Sequence, residues 1–147
     1  METLFERPDE LLPHRDPFLF LDRLVEVDEH HTVAERTFTS DHFFFAGHFP
    51  GYPVVPGVIL IETMAQAGGA GLCQAGILPH GAFFVLATIE KAKFRNQVRP
   101  GDRAVIAVEN TRVSQAMLRQ KGTIAVDGVV AAEASWMCIV GNNNAGE

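Results

Sequence analysis

The sequence predicts an α+β fold: a curved antiparallel β-sheet wrapped around one long central α-helix. Three observations carry that reading. Gly57 to Gln74 runs eighteen residues without a proline and holds a single formally charged side chain. Most of the chain outside it has the alternation and turn punctuation of strands, about five or six in all. A helix this apolar among so many strands has to be the filling of the molecule, because a surface helix would carry a polar face.

The elements follow in order. Pro8-Asp9-Glu10-Leu11-Leu12 suits a short helix that Pro13 stops. Phe18 to Val27 reads as a strand and His31 to Ser40 as a second, with Asp28-Glu29-His30 as the turn between them. In the second, Val33, Glu35, Thr37 and Thr39 alternate with Ala34, Arg36 and Phe38. Between Phe43 and Pro56, the residues Gly47, Pro50, Gly51, Pro53 and Pro56 exclude a regular element. Pro56 and Gly57 suit the start of the long helix. Gly68, Gly69 and Gly71 each cost it about 1 kcal/mol relative to alanine, which makes sense where a sheet packs tightly on that turn. Ala82–Phe94, Arg103–Val113, Ala116–Val126 and Val129–Val140 then read as strands, the last two joined by the hairpin signal Asp127-Gly128. Residues 1–147 are read as a single domain whose tail, Gly141 to Glu147, is flexible.

Composition narrows the class. At 47% hydrophobic and 20% charged residues the chain has the make-up of a soluble globular protein. Its start carries Glu2, Glu6, Asp9 and Glu10, unlike a secretory signal. No apolar run reaches the roughly 18 residues a membrane span needs. Cys73 and Cys138 lack metal-site spacing and read as reduced thiols of a cytoplasmic protein. The net charge of −6 argues against nucleic-acid binding. That average hides an asymmetry: Lys91 to Lys121 carries +6 and the remainder −12. Lys91, Lys93, Arg95, Arg99 and Arg103 are either solvated charges that guard sheet edges or a docking patch for an acidic partner.

Glu62 is the anomaly. It interrupts Val58-Ile59-Leu60-Ile61-Glu62-Thr63-Met64-Ala65 and is the only formally charged residue between Asp41 and Glu90. Burying a lone carboxylate is costly unless it is paired, hydrogen-bonded or protonated. Glu62 either points into water, pairs with an arginine such as Arg23 or Arg95, or serves chemistry. Gln66, one turn on, shares its helical face and can orient the carboxyl. Gly57 offers an unpaired backbone N–H at the positive end of the helix dipole. His48 precedes them in Gly47-His48-Phe49-Pro50. A helix start beside an imidazole and a carboxyl suits an oxyanion site with an acid–base pair, the equipment for chemistry next to a carbonyl.

Four blocks make the reading specific: LLPHRDPFLFLDR (Leu11–Arg23), FFAGHFPGYPVVPGVILIETMAQ (Phe44–Gln66), IEKAKFRNQVRPGD (Ile89–Asp102) and VDGVVAAEASWMC (Val126–Cys138). With them the chain resembles the 3-hydroxyacyl-acyl-carrier-protein dehydratases of the FabZ type, which have the hot-dog fold. The resemblance implies loss of water from a 3-hydroxyacyl thioester to give a trans-2-enoyl thioester, in fatty acid or related polyketide or polyene biosynthesis. It places the catalytic histidine at His48 and the catalytic carboxyl at Glu62, with Phe83 and Phe84 lining or gating an acyl tunnel. It implies no metal or organic cofactor. It implies a substrate on the phosphopantetheine of an acidic acyl carrier protein, which favours the docking reading of the basic window. It also implies a homodimer in which His48 and Glu62 meet across the subunit interface, with three dimers forming a hexamer.

The chain departs from the family pattern at Asp16, Ala46 and Phe83-Phe84, which bear on the choice of acyl chain. Two rivals use the same fold: a thioesterase, whose products are free acid and thiol, and a non-catalytic acyl-binding protein. A metal site from His42, His48 and Glu62 lacks a recognised ligand spacing.

Overall fold

The computed structural model describes residues 5–141. Helix α1 spans Pro8–Leu11 and helix α2 Gly57–Gln74. The strands are β1 (Arg23–Val27), β2 (His31–Thr37), β3 (Phe83–Phe94), β4 (Arg103–Val113), β5 (Met117–Val126) and β6 (Val129–Gly141). All strand pairs are antiparallel, in the order β1-β2-β4-β5-β6-β3. Gly141 closes β6; the rest of the expected flexible tail lies outside the described residues.

Helix α2 packs into this sheet and touches all six strands. From Thr63 to Cys73 every residue is buried. The three costly glycines are explained by space. A methyl group at Gly68 would overlap Gln120, at Gly69 the Phe84 ring, and at Gly71 the Thr32 side chain. Each gives up helix propensity so that the sheet can close on the helix. At the β5–β6 turn both Asp127 (φ 51°) and Gly128 (φ 78°) adopt the left-handed conformation that a two-residue hairpin requires. Asp28 Oδ1 accepts from the backbone N–H groups of His30 and His31 and sets the β1–β2 turn.

Two expected strands are shorter than their sequence patterns: His31–Ser40 ends at Thr37 as β2, and Phe18–Val27 loses its first half. Phe18 to Val27 alternates like a strand, but β1 begins at Arg23. The backbone of Phe18 and Phe20 is directed at the helix instead. Phe20 N–H donates to Gln66 Oε1 (2.8 Å), and the Phe18 carbonyl accepts from Gln66 Nε2 (3.0 Å). A side-chain amide thus replaces a ladder partner, and the segment becomes a strap across α2.

The two sheet edges differ. β1 is five residues long, bulged and charged. β3 is twelve residues long and leaves Phe83, Val85, Ile89 and Phe94 exposed. Long exposed apolar edges are templates for further strands.

Candidate active site

Glu62 sits one turn into α2 with a side chain 21% exposed, at a pocket of about 200 Å³. His14, Phe18, Ala65, Phe84, Val85, Leu86 and Cys138 complete its lining. Neither arginine offered to it by the sequence is there: Arg23 pairs with Glu35 and Arg95 with Glu133. Its partners carry no charge that could neutralise it. Gln66 Nε2 donates to Glu62 Oε2 over 2.9 Å. Gln66 is fully buried, and its amide is oriented by the Phe18–Phe20 strap, so the donor cannot turn away. Burial pushes the Glu62 carboxyl above its ordinary range, against the lowering effect of the Gln66 hydrogen bond. A carboxyl in this setting holds a proton more tightly than one in water.

His14 belongs to the strap side of the pocket, with Nε2 3.6 Å from Glu62 Oε2 and its ring tilted against Phe84 at 5.5 Å. Burial, with Arg15 adding to it, pushes its imidazole down. Sequence reasoning quoted this residue inside Leu11–Arg23 but gave it no role. Its partner is far away in the chain, and a histidine following a proline carries no local signal of contact with a helix.

His48 lies in the irregular loop before α2, half-buried and stacked on Phe49 at 4.3 Å. Its Nδ1 is 3.0 Å from the Val54 carbonyl. A carbonyl only accepts, so Nδ1 carries the hydrogen and Nε2 presents a lone pair. The loop is tied by the Val54 N–H donating to the His48 carbonyl (2.9 Å) and the Phe49 N–H to Tyr52 (3.0 Å). His48 is not among the residues lining the Glu62 pocket. Within one chain the two are not brought together.

Gly57 is the first residue of α2, and among the described residues none accepts its backbone N–H. A side chain there would run into the Phe94 ring. Phe84 lines the Glu62 pocket and packs on Gly69; Phe83, its neighbour in β3, faces outward, 48% exposed. His42 Nε2 is 2.6 Å from the Arg36 guanidinium, which would repel a cation there.

The five cations read as one patch are distributed over different surroundings. Arg103 binds the buried Glu35, and Arg95 pairs with Glu133 at 3.0 Å. Lys91 and Lys93 line an open dish of about 640 Å³ together with Glu109, Lys121 and Glu133. Lys121 and Glu109 are themselves paired at 3.1 Å. Arg99 stacks over Tyr52 at 5.0 Å and donates to its hydroxyl, next to the loop that holds His48. Ion pairs with Glu35 and Glu133 use some of this charge.

The FabA-like domain family matches residues 12–135. A FabZ 3-hydroxyacyl-[acyl-carrier-protein] dehydratase of Sodalis glossinidius is 43% identical over 131 residues, 88% of this chain and 87% of the relative. The protein of the same name from Escherichia coli is 40% identical over the same coverage. Among solved structures, the ApeI:P dehydratase heterocomplex of Xenorhabdus doucetiae superimposes with a TM-score of 0.82 at 20% identity, over 97% of this chain and 94% of that one. A hypothetical thioesterase of Streptococcus pneumoniae solved with coenzyme A gives 0.62 at 12% identity, over 82% and 85%. These two likenesses show the fold, a six-stranded antiparallel sheet around one main helix. The identity to the FabZ proteins shows more: the chain belongs to the FabA-like family, with the hot-dog fold and among the FabZ-type dehydratases.

Proposed function

We propose that this protein removes water from 3-hydroxyacyl thioesters carried by an acyl carrier protein, giving trans-2-enoyl thioesters, as a homodimer of one hot-dog domain per chain. The observation that carries the reading is Glu62: a pocketed carboxyl raised by burial, held by a clamped amide and without a cation. That is the environment of an acid kept protonated for use.

His48 in its neutral form takes the proton from C2 at Nε2, the nitrogen left bare by the Nδ1–H to Val54 bond. Glu62 gives its proton to the departing C3 hydroxyl; the C3–O bond breaks, water leaves, and the C2–H electron pair becomes the new double bond. The Gly57 N–H, at the positive end of α2, stabilises negative charge on the thioester oxygen while C2 is losing its proton. One net proton transfer from His48 to Glu62 resets the site.

The apolar β3 edge is the reason for a dimer. A second copy pairing there covers Phe83, Val85, Ile89 and Phe94 and brings its own His48 to the Glu62 pocket. For the carrier protein, Arg99 beside the His48 loop and the lysines Lys91 and Lys93 remain the cations open to an acidic partner. The unpaired buried thiols of Cys73 and Cys138 fit the reducing cytoplasm as its setting.

The test is mixing. His48→Ala and Glu62→Gln variants are each expected to lose most turnover of 3-hydroxyacyl carrier protein. Co-refolded as equal parts, they form mixed dimers with one intact site in two, so about a quarter of the parental rate returns. No recovery would place both residues in one subunit and sink the shared site. Release of free thiol without enoyl product would replace dehydration by thioester hydrolysis.

A further inference from the structure

One buried polar atom beside Glu62 has no part in the reaction above. His14 Nδ1 is enclosed and has no hydrogen-bond partner among the described residues. The ring's other nitrogen lies 3.6 Å from Glu62 Oε2, the same oxygen that accepts from Gln66 Nε2. Phe84 packs against the ring. Behind it, Arg15 Nη1 donates to the carbonyls of Leu12 (2.8 Å) and His14 (2.7 Å), which fixes the backbone.

We propose that His14 is a positioning residue for Glu62: its Nε2–H donates to Oε2 beside the Gln66 amide, so that the acid proton sits on Oε1 and is presented to substrate. This deepens, and rests on, the dehydratase reading of Glu62. The tautomer follows from the unpartnered atom. With hydrogen on Nε2, the enclosed Nδ1 is a bare acceptor; with hydrogen on Nδ1, it would be an orphaned buried donor, which native structures almost never keep. An imidazolium would bury the same orphan, and the surroundings already disfavour that charge. Oε2, facing two donors, is then the carbonyl-like oxygen. Protonating it would set O–H against the N–H groups of Gln66 and His14. The 3.6 Å separation exceeds ordinary hydrogen-bond length, and on this proposal the contact shortens as substrate binds, as catalytic hydrogen bonds do. Among the described residues of one chain, the only other titratable group lining the pocket is the Cys138 thiol from β6, pushed up to about 12 mainly by burial and also by Glu62, so it adds no charge of its own; in the dimer, the second copy's His48 joins it. Phe18, Ala65, Phe84, Val85 and Leu86 complete the wall and are apolar.

The experiment uses the full chain with two variants, His14→Phe and His14→Gln. The first removes the donor; the second offers an amide N–H near the position of Nε2–H. The Glu62 carboxyl is followed by carbon NMR against pH, and steady-state rates are measured with a 3-hydroxyacyl thioester. A donor to the carboxylate favours its charged form, so His14→Phe is expected to move the Glu62 midpoint further up. It should also lower kcat by roughly 10- to 100-fold with little change in KM. His14→Gln should recover most of both. An unmoved midpoint in His14→Phe overturns the proposal, and so does a glutamine variant no better than phenylalanine. Should His14→Phe fail to fold, nitrogen NMR of the parental imidazole decides: hydrogen on Nε2 supports the proposal, hydrogen on Nδ1 ends it. If the midpoint moves as expected but Glu62→Gln still turns over, the contact stands and the acid role of Glu62 is what fails.

Discussion

Glu35 and Glu62 both leave the surface, and the protein treats them in opposite ways. Glu35, in β2, is 8% exposed and lies between two guanidiniums, Arg23 from β1 and Arg103 from β4, with contacts of 2.7 and 2.6 Å. Glu62, in α2, meets an amide, a low-pKa imidazole and a thiol. A carboxylate between two guanidiniums is an ion pair whose use is to tie strands together. A carboxyl enclosed among neutral groups is held as an acid. The difference separates a residue that fastens strands from one equipped to transfer a proton.

Turnover gives the sharpest break between the two. Glu62→Gln keeps shape and hydrogen bonding but has no proton to give, and should lower kcat by about 10³-fold, within the range for general acid catalysis. Glu35→Gln should leave kcat within about twofold, since a change away from the chemistry acts on stability alone. Comparable losses in both variants would erase the distinction drawn here.

Gln66→Leu comes next, because it touches fold and site together. It strands the Phe20 N–H and the Phe18 carbonyl and frees the Glu62 carboxyl. Unsatisfied buried groups cost about 1–3 kcal/mol each, so denaturant unfolding should shift and kcat should fall roughly tenfold or more. A rate loss without a stability loss would mean that the strap is held by something other than this amide.

How far these features are legible in the sequence depends on how local their causes are. Gly57–Gln74 is bounded by Pro56 and by its own propensity, and the structure has those limits. Arg103–Val113 was equally plain, and Asp127-Gly128 marks the β5–β6 hairpin with residues suited to left-handed backbone. Glu62 stood out because charge inside an apolar helix is anomalous wherever the helix goes. The strap at Phe18–Asp22 was misread as strand because its hydrogen-bond partner is the side chain of Gln66, a tertiary fact with no local signature. His14 was missed for the same reason. Glu35 was read only as one member of an alternating strand. Its arginines are neighbours across the sheet, and which strands pair decides that, not the spacing of residues.

A smaller effect separates the two glutamates through pH. The Glu62 carboxyl is raised above 4.5 in the folded state by burial, so the folded protein keeps a proton that the unfolded chain releases. The stability this provides is fully present below about pH 4.5. It is lost as pH rises through the folded value. Urea midpoints measured across that window should therefore carry a falling contribution that Glu62→Gln removes and Glu35→Gln leaves in place. An unchanged slope in Glu62→Gln would mean that the carboxyl is better solvated than its pocket indicates.

The smallest expected effect tests the other half of the comparison. Glu35→Gln keeps an acceptor for one of Arg23 and Arg103, turns an amide donor toward the other, and removes the charge between them. Both arginine side chains are largely exposed, 63% and 62%, so solvent screens much of the attraction, and the loss should be about 1 kcal/mol, near the upper end for surface pairs. Because screening strengthens with ionic strength, the difference between parent and variant should shrink toward 1 M salt, where the screening length is about 3 Å. A loss that persists in high salt would show that Glu35 acts through packing or directed hydrogen bonds. It would then resemble Glu62 more closely than its two guanidiniums suggest, and charge pairing would no longer be what separates a fastening glutamate from a working one.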